Sequence, residues 1–477
     1  MYKFKDNKIT ASLYIFVLIC SFFSTIYVYG NTPCQLGAEL YFTLPLTLLF
    51  CLIVFRHIIP YHKGGYGLKV FYFFCALRYV FLPFFTCIVG SFASSWTAEA
   101  YTFAIIIQDI ELIVSCFAIS YFYPRQDKKI TQKLQYNTIT YYEDLSLGGI
   151  IVILLSIGLI ATRGLNRLLV SMRFGIIAEG LEEEAYYGYD IWMAHTMLAF
   201  LAIVITSSFQ KLNDRKEYSL NILVPAAICL LTCFTTFGNN RMMTVYYALS
   251  AISILSISFP KYKRSVSIVV MVAFSIVIFS FTMVKQYQTN ITIGETADTD
   301  RRGIVSSMAV YVSSTEAIAK VYDRYKITGN QMETKTILAD IADKTTIFEL
   351  PMIHVKEHLK DVKPSYKLAM TGVEVVPVAG QMLYYGGYEL GWLLDILAFW
   401  IVMLLLVKFE IHSKLQKNLG NRYLFTWMSI VSAMVMCYHL GIMYHAFTYV
   451  PFFTWVALLI NKKIRIHPKT AIAKVRI

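Results

Sequence analysis

Residues 101–123 read YTFAIIIQDIELIVSCFAISYFY, 23 residues without Gly or Pro whose only charged members are Asp109 and Glu111. About 20 apolar residues at 1.5 Å rise cross the ~30 Å hydrocarbon layer of a bilayer. A helix satisfies every backbone group within the segment, as lipid requires. The stretch therefore predicts a transmembrane helix with two carboxylates near mid-depth. A lone charge there costs about 3 kcal/mol or more, so each acid needs a partner. Arg78, inside a neighbouring apolar stretch, supplies a cation. A buried ion pair is the ordinary reading and a proton pathway the sharper one.

Working outward, the same pattern recurs. Twelve spans are predicted at about 10–30, 37–55, 70–90, 101–123, 147–162, 190–209, 219–237, 242–259, 265–284, 390–407, 423–441 and 444–460. Of the 477 residues 57% are hydrophobic and 15% charged, against about 25% charged for soluble domains. That excess of apolar residues excludes a soluble enzyme, a nucleic-acid-binding domain and a disordered chain. The net charge of +13 is mostly a sidedness signal, because 26 of the 43 Lys and Arg fall in the N-terminus, alternate loops and the C-terminal tail. Those segments, both termini included, are expected on the cytoplasmic face. Val28-Tyr29-Gly30 loosely resembles a signal cleavage site, but the apolar stretch is longer than an h-region, and the first span is expected to be retained. Nine cysteines scattered mainly inside spans imply no disulfide framework.

The predicted organisation is residues 1–284 as spans one to nine with an outer loop at 163–189, residues 285–389 as an extracytoplasmic loop domain with short helices, and residues 390–477 as spans ten to twelve with a basic cytoplasmic tail. A connection of over 100 residues needs elements of its own. Residues 304–325 carry Ile304, Met308, Val312, Ala319 and Tyr322 near helical spacing, and residues 335–347 predict a shorter helix. No internal repeat is visible, which weakens a transporter built from two related halves.

Candidate chemistry gathers on the outer side. Gly238-Asn239-Asn240-Arg241 falls in a tight connection between spans seven and eight. The fork of donors on Arg241 suits phosphate oxygens; snorkelling or a structural salt bridge is the bland alternative. Arg163, Arg167 and Arg173 border an interfacial apolar segment and fit either a second cationic site or lipid headgroups. Lys285, Tyr287, Arg301 and Arg302 open the long loop, where a solvated face serves equally. The acid-base candidates are Asp300, Glu316, His354, His358, Glu374, His439 and His445. Glu374 is the more telling acid, because a carboxylate among Val and Pro in Gly372-Val373-Glu374-Val375-Val376-Pro377 is expensive unless paired. Tyr384, Tyr385 and Tyr388 suit sugar stacking or an interfacial belt. His354-Val355-Lys356-Glu357-His358 matches a zinc-protease pattern by letter, but an exposed amphipathic turn explains it better. Cys229 and Cys233 fit helix packing better than a metal.

The Arg241 turn resembles that of the Wzy-type oligosaccharide repeat-unit polymerases, which build O-antigen, capsule and enterobacterial common antigen. Three further stretches agree in order: residues 164–187 with Arg173, Lys285-Gln286-Tyr287, and Thr371 to Pro377 followed by Gly386-Gly387. The likeness covers about residues 164–391, and it departs from the family where Met242 and Met243 follow the arginine. The resemblance implies an all-α polytopic, GT-C-like glycosyltransferase of about 12 spans in the bacterial cytoplasmic membrane, working without metal or cofactor. Its expected partners are undecaprenyl-pyrophosphate-linked oligosaccharide, membrane lipids, a chain-length regulator and a flippase, with no nucleic acid. Arg241, Arg173 and Arg302 would hold pyrophosphate, with Lys285, Tyr287 and Tyr385 also at the substrate, and Glu374 or Glu316 would be the base or sugar-binding acid. An O-antigen ligase, or a lipid-linked oligosaccharide flippase, is the alternative.

Overall fold

The computed structural model describes residues 3–55, 65–92, 95–134, 143–163, 189–214, 222–234, 241–265, 312–328, 334–344, 357–359 and 376–464, with isolated positions between 268 and 362. Among them every regular element is helical. Five segments are long and apolar enough to cross a membrane: Tyr66–Val89, Ala98–Arg125, His195–Leu212, Val378–Leu415 and Leu440–Lys463. Shorter apolar helices accompany them at Tyr14–Gly30, Thr43–Val54, Leu147–Gly158, Leu223–Thr232 and Val245–Ser258. The protein is a helical membrane protein. Span nine of the sequence reading lies almost wholly outside the described residues.

The helices are α1 (Lys3–Gly30), α2 (Thr43–Val54), α3 (Tyr66–Ala76), α4 (Leu82–Val89), α5 (Ala98–Leu134), α6 (Leu147–Arg163), α7 (Tyr189–Asp214), α8 (Leu223–Phe234), α9 (Arg241–Ser258), α10 (Thr315–Thr328), α11 (Thr334–Lys344), α12 (Val378–Leu415), α13 (Leu419–Ala433) and α14 (Leu440–Lys463). They fall into two compact units. One comprises Met1–Asn137, Gln288–Leu415 and Phe425–Tyr449, the other Thr138–Tyr287, Gln416–Leu424 and Val450–Ile477.

In the first unit α5 is the axis, with α2, α10 and α12 packed along it. A π-helical turn, Leu77–Phe81, joins α3 to α4. Pro83 cannot donate a backbone hydrogen bond, and the turn widens so that Leu82 N–H reaches Leu77 O. The Val80 carbonyl accepts from Ser24 Oγ at 3.1 Å. This widened turn carries Arg78, whose Nη1 lies 2.7 Å from Glu111 Oε2. Both side chains are 1% exposed. The ion pair expected from the sequence is thus made with Glu111, while Asp109 turns to α2 and accepts from Thr43 Oγ1 at 2.5 Å. Near the far end of α12, Glu410 Oε2 accepts from Gly67 N–H at 3.2 Å in the first turn of α3. There a carboxylate meets unpaired backbone donors.

In the second unit α7 packs against α6, α8 and α9. The entry to α6 is sewn to α14: Ser146 N–H donates to Asn461 Oδ1 at 2.9 Å, and Asn461 Nδ2 donates to the Asp144 carbonyl at 3.1 Å. A Cβ on Gly148 would sit 2.4 Å from the Ile460 carbonyl oxygen, so the two backbones touch there. Lys211 Nζ meets Asp144 Oδ2 at 2.5 Å.

Two elements differ from the sequence reading. The amphipathic helix expected over 304–325 does not run through: Ser313 has φ +48°, and α10 starts only at Thr315. A serine in the left-handed region ends any helix arriving from upstream, while Ser314 Oγ accepts from Ala317 N–H at 3.3 Å and caps the new one. At the other end, residues assigned to the close of the long loop already form the first turns of α12. Gly387, at φ +65° and ψ −168°, breaks α12 between Val378 and the long apolar run. This conformation is essentially reserved for glycine. A Cβ on Gly386 would approach Gly391 N to 2.6 Å, so the chain doubles closely on itself. The second expected loop helix, 335–347, is α11.

Gly387→Ala is expected to lower stability by about 1–3 kcal/mol, read as a fall in the melting temperature of the purified protein in detergent. Gly158→Ala in α6, where a Cβ would meet nothing within 4 Å, should instead be neutral or raise it by about 0.5–1 kcal/mol.

Candidate functional site

The long loop returns to the bundle through α10, which lies antiparallel against the first turns of α5. At one end Asp323 accepts from Thr97 N–H at 2.7 Å and Thr97 Oγ1 at 2.6 Å, and Glu99 accepts from Tyr322 and Lys326. At the other, Thr315 Oγ1 donates to Gln108 Oε1 at 2.6 Å and Gln108 Nε2 to the Ser313 carbonyl at 3.3 Å. Gln108 is ten residues into the span, about 15 Å along a helix. The segment read as an outer lid therefore reaches well down the side of a membrane-spanning helix. A polar helix end at that depth is tolerable only because side chains satisfy it.

Glu316 lies at this deep end and is half-buried. It lines a cavity with Tyr41, Thr86, Ser91 and Ser314, of about 20 Å³. That is room for about one water and none for a sugar ring. A carboxylate beside hydroxyls and a water-sized space is equipped to take a proton. Its charge also acts on the phenols of Tyr41 and Tyr101.

The first turns of α12 carry a second polar cluster. Asp340 of α11 accepts from the Tyr385 hydroxyl and from Gln381 Nε2, the latter at 3.3 Å. Gln381 Nε2 also donates to Tyr385 Oη at 2.7 Å, and Gln381 Oε1 accepts from Leu440 N–H at 3.0 Å. Gln381 thus ties α11, α12 and α14 together, and the Tyr385 hydroxyl is part of that tie. The exposed ring beside it is Tyr388, whose centroid stands 5.2 Å from Tyr322 and 5.0 Å from Tyr325, both on α10. Burial pushes the Tyr322 phenol up, helped by its hydrogen bond to Glu99, and burial does the same to Tyr325. Both stay neutral donors at physiological pH. Asp323, Tyr325 and Gln108 were not singled out from sequence, and Tyr322 was named only for its helical spacing. A signal existed for Asp323, seven residues from Glu316 and so on the same helical face.

Arg241 is the first residue of α9, and its side chain lies outside the described residues. Arg173, Arg302, Lys285, Tyr287, Glu374, Asp300, His354, Arg167 and Arg301 lie wholly outside them; Arg163 closes α6. His439 is buried, its Nδ1 accepting from Gly441 N–H at 3.1 Å, and His445 stacks on Tyr449 at 4.6 Å. Among the described residues no three His, Cys, Asp or Glu side chains are grouped to hold a metal ion.

Comparison of the chain with family models, with characterised proteins and with solved structures finds no match in any of the three. If α10 lies along α5 as described, a Glu99→Cys, Lys326→Cys pair should be joined by a short bis-maleimide in membranes, giving a gel shift that neither single variant shows. Absence of the crosslink would detach α10 from α5.

Proposed function

We propose that the chain is a polysaccharide polymerase of the Wzy type, a GT-C-like protein of about twelve spans in the bacterial cytoplasmic membrane with both termini cytoplasmic. It joins undecaprenyl-pyrophosphate-linked repeat units at the outer face, moving the growing glycan to the next lipid-linked unit. One observation carries the reading: α9 begins at Arg241, directly after Gly238-Asn239-Asn240. The first turn of a helix offers unpaired N–H groups and the positive end of the macrodipole, the ordinary setting for a phosphate. A guanidinium on that turn adds a bidentate grip.

In this scheme pyrophosphate leaves as the glycosidic bond shifts, and Arg241, with Arg173 and Arg302, stabilises the charge that accumulates on it. Lys285 and Tyr287 add contacts to the carrier head. Glu374 or Glu316 takes the proton of the acceptor hydroxyl; Glu316 has the supporting feature of a water-sized space at its side. The exposed Tyr388, backed by the buried Tyr322 and Tyr325, offers a ring on which a sugar can stack.

Arg241→Ala should abolish chain-length laddering when the purified protein is incubated with lipid-linked repeat units from its own host, with near-normal expression. Arg241→Lys should rescue poorly, since a point charge does not reproduce the fork. Wild-type chain lengths in Arg241→Ala would remove that residue from the site; movement of substrate across the membrane without new glycosidic bonds would replace the polymerase with a flippase. Transfer onto a lipid A core without laddering would make it a ligase. Sidedness has its own test. Among the described cysteines Cys34 is exposed, so an impermeant maleimide should label it in intact spheroplasts, and labelling only after permeabilisation would invert the topology.

A further inference from the structure

Among the ionisable groups buried in the first unit, Arg78, Glu111 and Asp395 have no part in the proposed sugar transfer. Arg78 and Glu111 form the 2.7 Å pair described above. Asp395, in the apolar run of α12, is 0% exposed, and neither carboxylate oxygen has a hydrogen-bond partner. It lies within electrostatic reach of both Glu111 and Arg78. Around the Arg78–Glu111 pair α5 contributes Asp109, which is bonded to Thr43. The α3 side contributes Arg78, Cys75 and Tyr79, whose hydroxyl donates to the Gln108 carbonyl at 2.7 Å. The 3₁₀ turn Val435–Cys437 contributes the Cys437 thiol.

With Asp109 held by Thr43, two buried carboxyls remain against one guanidinium. Glu111, in direct contact with Arg78, is the anion that the guanidinium neutralises. A second anion beside it would be uncompensated, and an uncompensated charge in a low-dielectric interior is far costlier than an added proton. A metal cation is a poor substitute, because the guanidinium repels it and no three-group ligand set stands among the described residues. Two helix irregularities adjoin the cluster: Arg78 rides on the π-helical turn, and Asp395 follows the Gly387 break by eight residues. Such irregularities are frequent at functional sites and let a segment repack.

We propose that Arg78, Glu111 and Asp395 form an intramembrane proton-binding site, in which the Asp395 carboxyl carries one dissociable proton opposite the Arg78–Glu111 ion pair. The step is a simple exchange: the Asp395 O–H bond breaks, the proton passes to water, and a carboxylate remains. With the proton gone, a net negative charge sits between α5 and α12, so occupancy biases how those helices pack.

The test is infrared spectroscopy of the full-length protein in lipid nanodiscs, following the carbonyl stretch of protonated carboxylic acid groups. The wild-type protein at neutral pH should show such a band, shifting in D₂O and unchanged on adding sodium at fixed pH. The near-isosteric Asp395→Asn should lack it. Glu111→Gln should also lose it, because Asp395 then ionises to pair with Arg78. Absence of the band from the wild type, its survival in Asp395→Asn or Glu111→Gln, or its removal by sodium would each overturn the proposal. The wild-type measurement decides the matter even if a variant fails to fold. Loss of laddering in the polymerase assay would leave this result untouched.

Discussion

An ion pair sealed from water constrains the first unit more than any other contact. Arg78 and Glu111, each 1% exposed, stand 2.7 Å apart on different membrane-spanning segments. In a medium with few dipoles the two charges satisfy each other, so the pair fixes the rotation of the π-helical turn against α5. Other features follow from that registration. Ser24 meets the Val80 carbonyl, the Tyr79 hydroxyl meets the Gln108 carbonyl, and Gln108 then holds the start of α10. A chain of polar contacts thus leads from the middle of the membrane to the helix that carries Glu316.

The same logic governs where the long loop comes to rest. A helix with Glu316, Asp323 and Lys326 on it cannot lie along a membrane-spanning segment unless its polar groups are met. Asp323 and Lys326 are met by Thr97 and Glu99, and the start of the helix at Thr315 by Gln108, all in the first part of α5 or just before it. Glu316 is thereby held beside a cavity of about 20 Å³, room for about one water.

The membrane class was legible because it rests on composition and span length, which need no tertiary information. The Arg78–Glu111 pair was legible for a related reason: a charge inside an apolar run demands a partner, and few exist. What escaped the sequence depends on backbone geometry or on distant contacts. Apolar spacing suggested one helix over 304–325, but spacing cannot register the positive φ at Ser313. Gly386-Gly387 read as loop, yet the helix resumes on both sides of the break. The bond of the Tyr385 hydroxyl to Asp340, 45 residues away, leaves no trace in local spacing. Asp395 passed as one polar residue in a long apolar run, and its importance emerges only once α12 is packed against α5. Of the candidate site, the sequence singled out Glu316 and the arginine that begins α9. The network holding α10 in place was not foreseen, because its partners are scattered between positions 97 and 326.

A double-mutant cycle on the buried pair, with reversible unfolding followed in bilayers, tests the account most directly. Arg78→Met should cost about 3–5 kcal/mol, because it strands the Glu111 charge, Glu111→Leu should cost less because Asp395 can take up the Arg78 charge, and the double variant should recover most of the Arg78→Met loss. Losses that simply add in the double variant would show that the two side chains do not interact, and the constraint on which the rest of the unit depends would be gone.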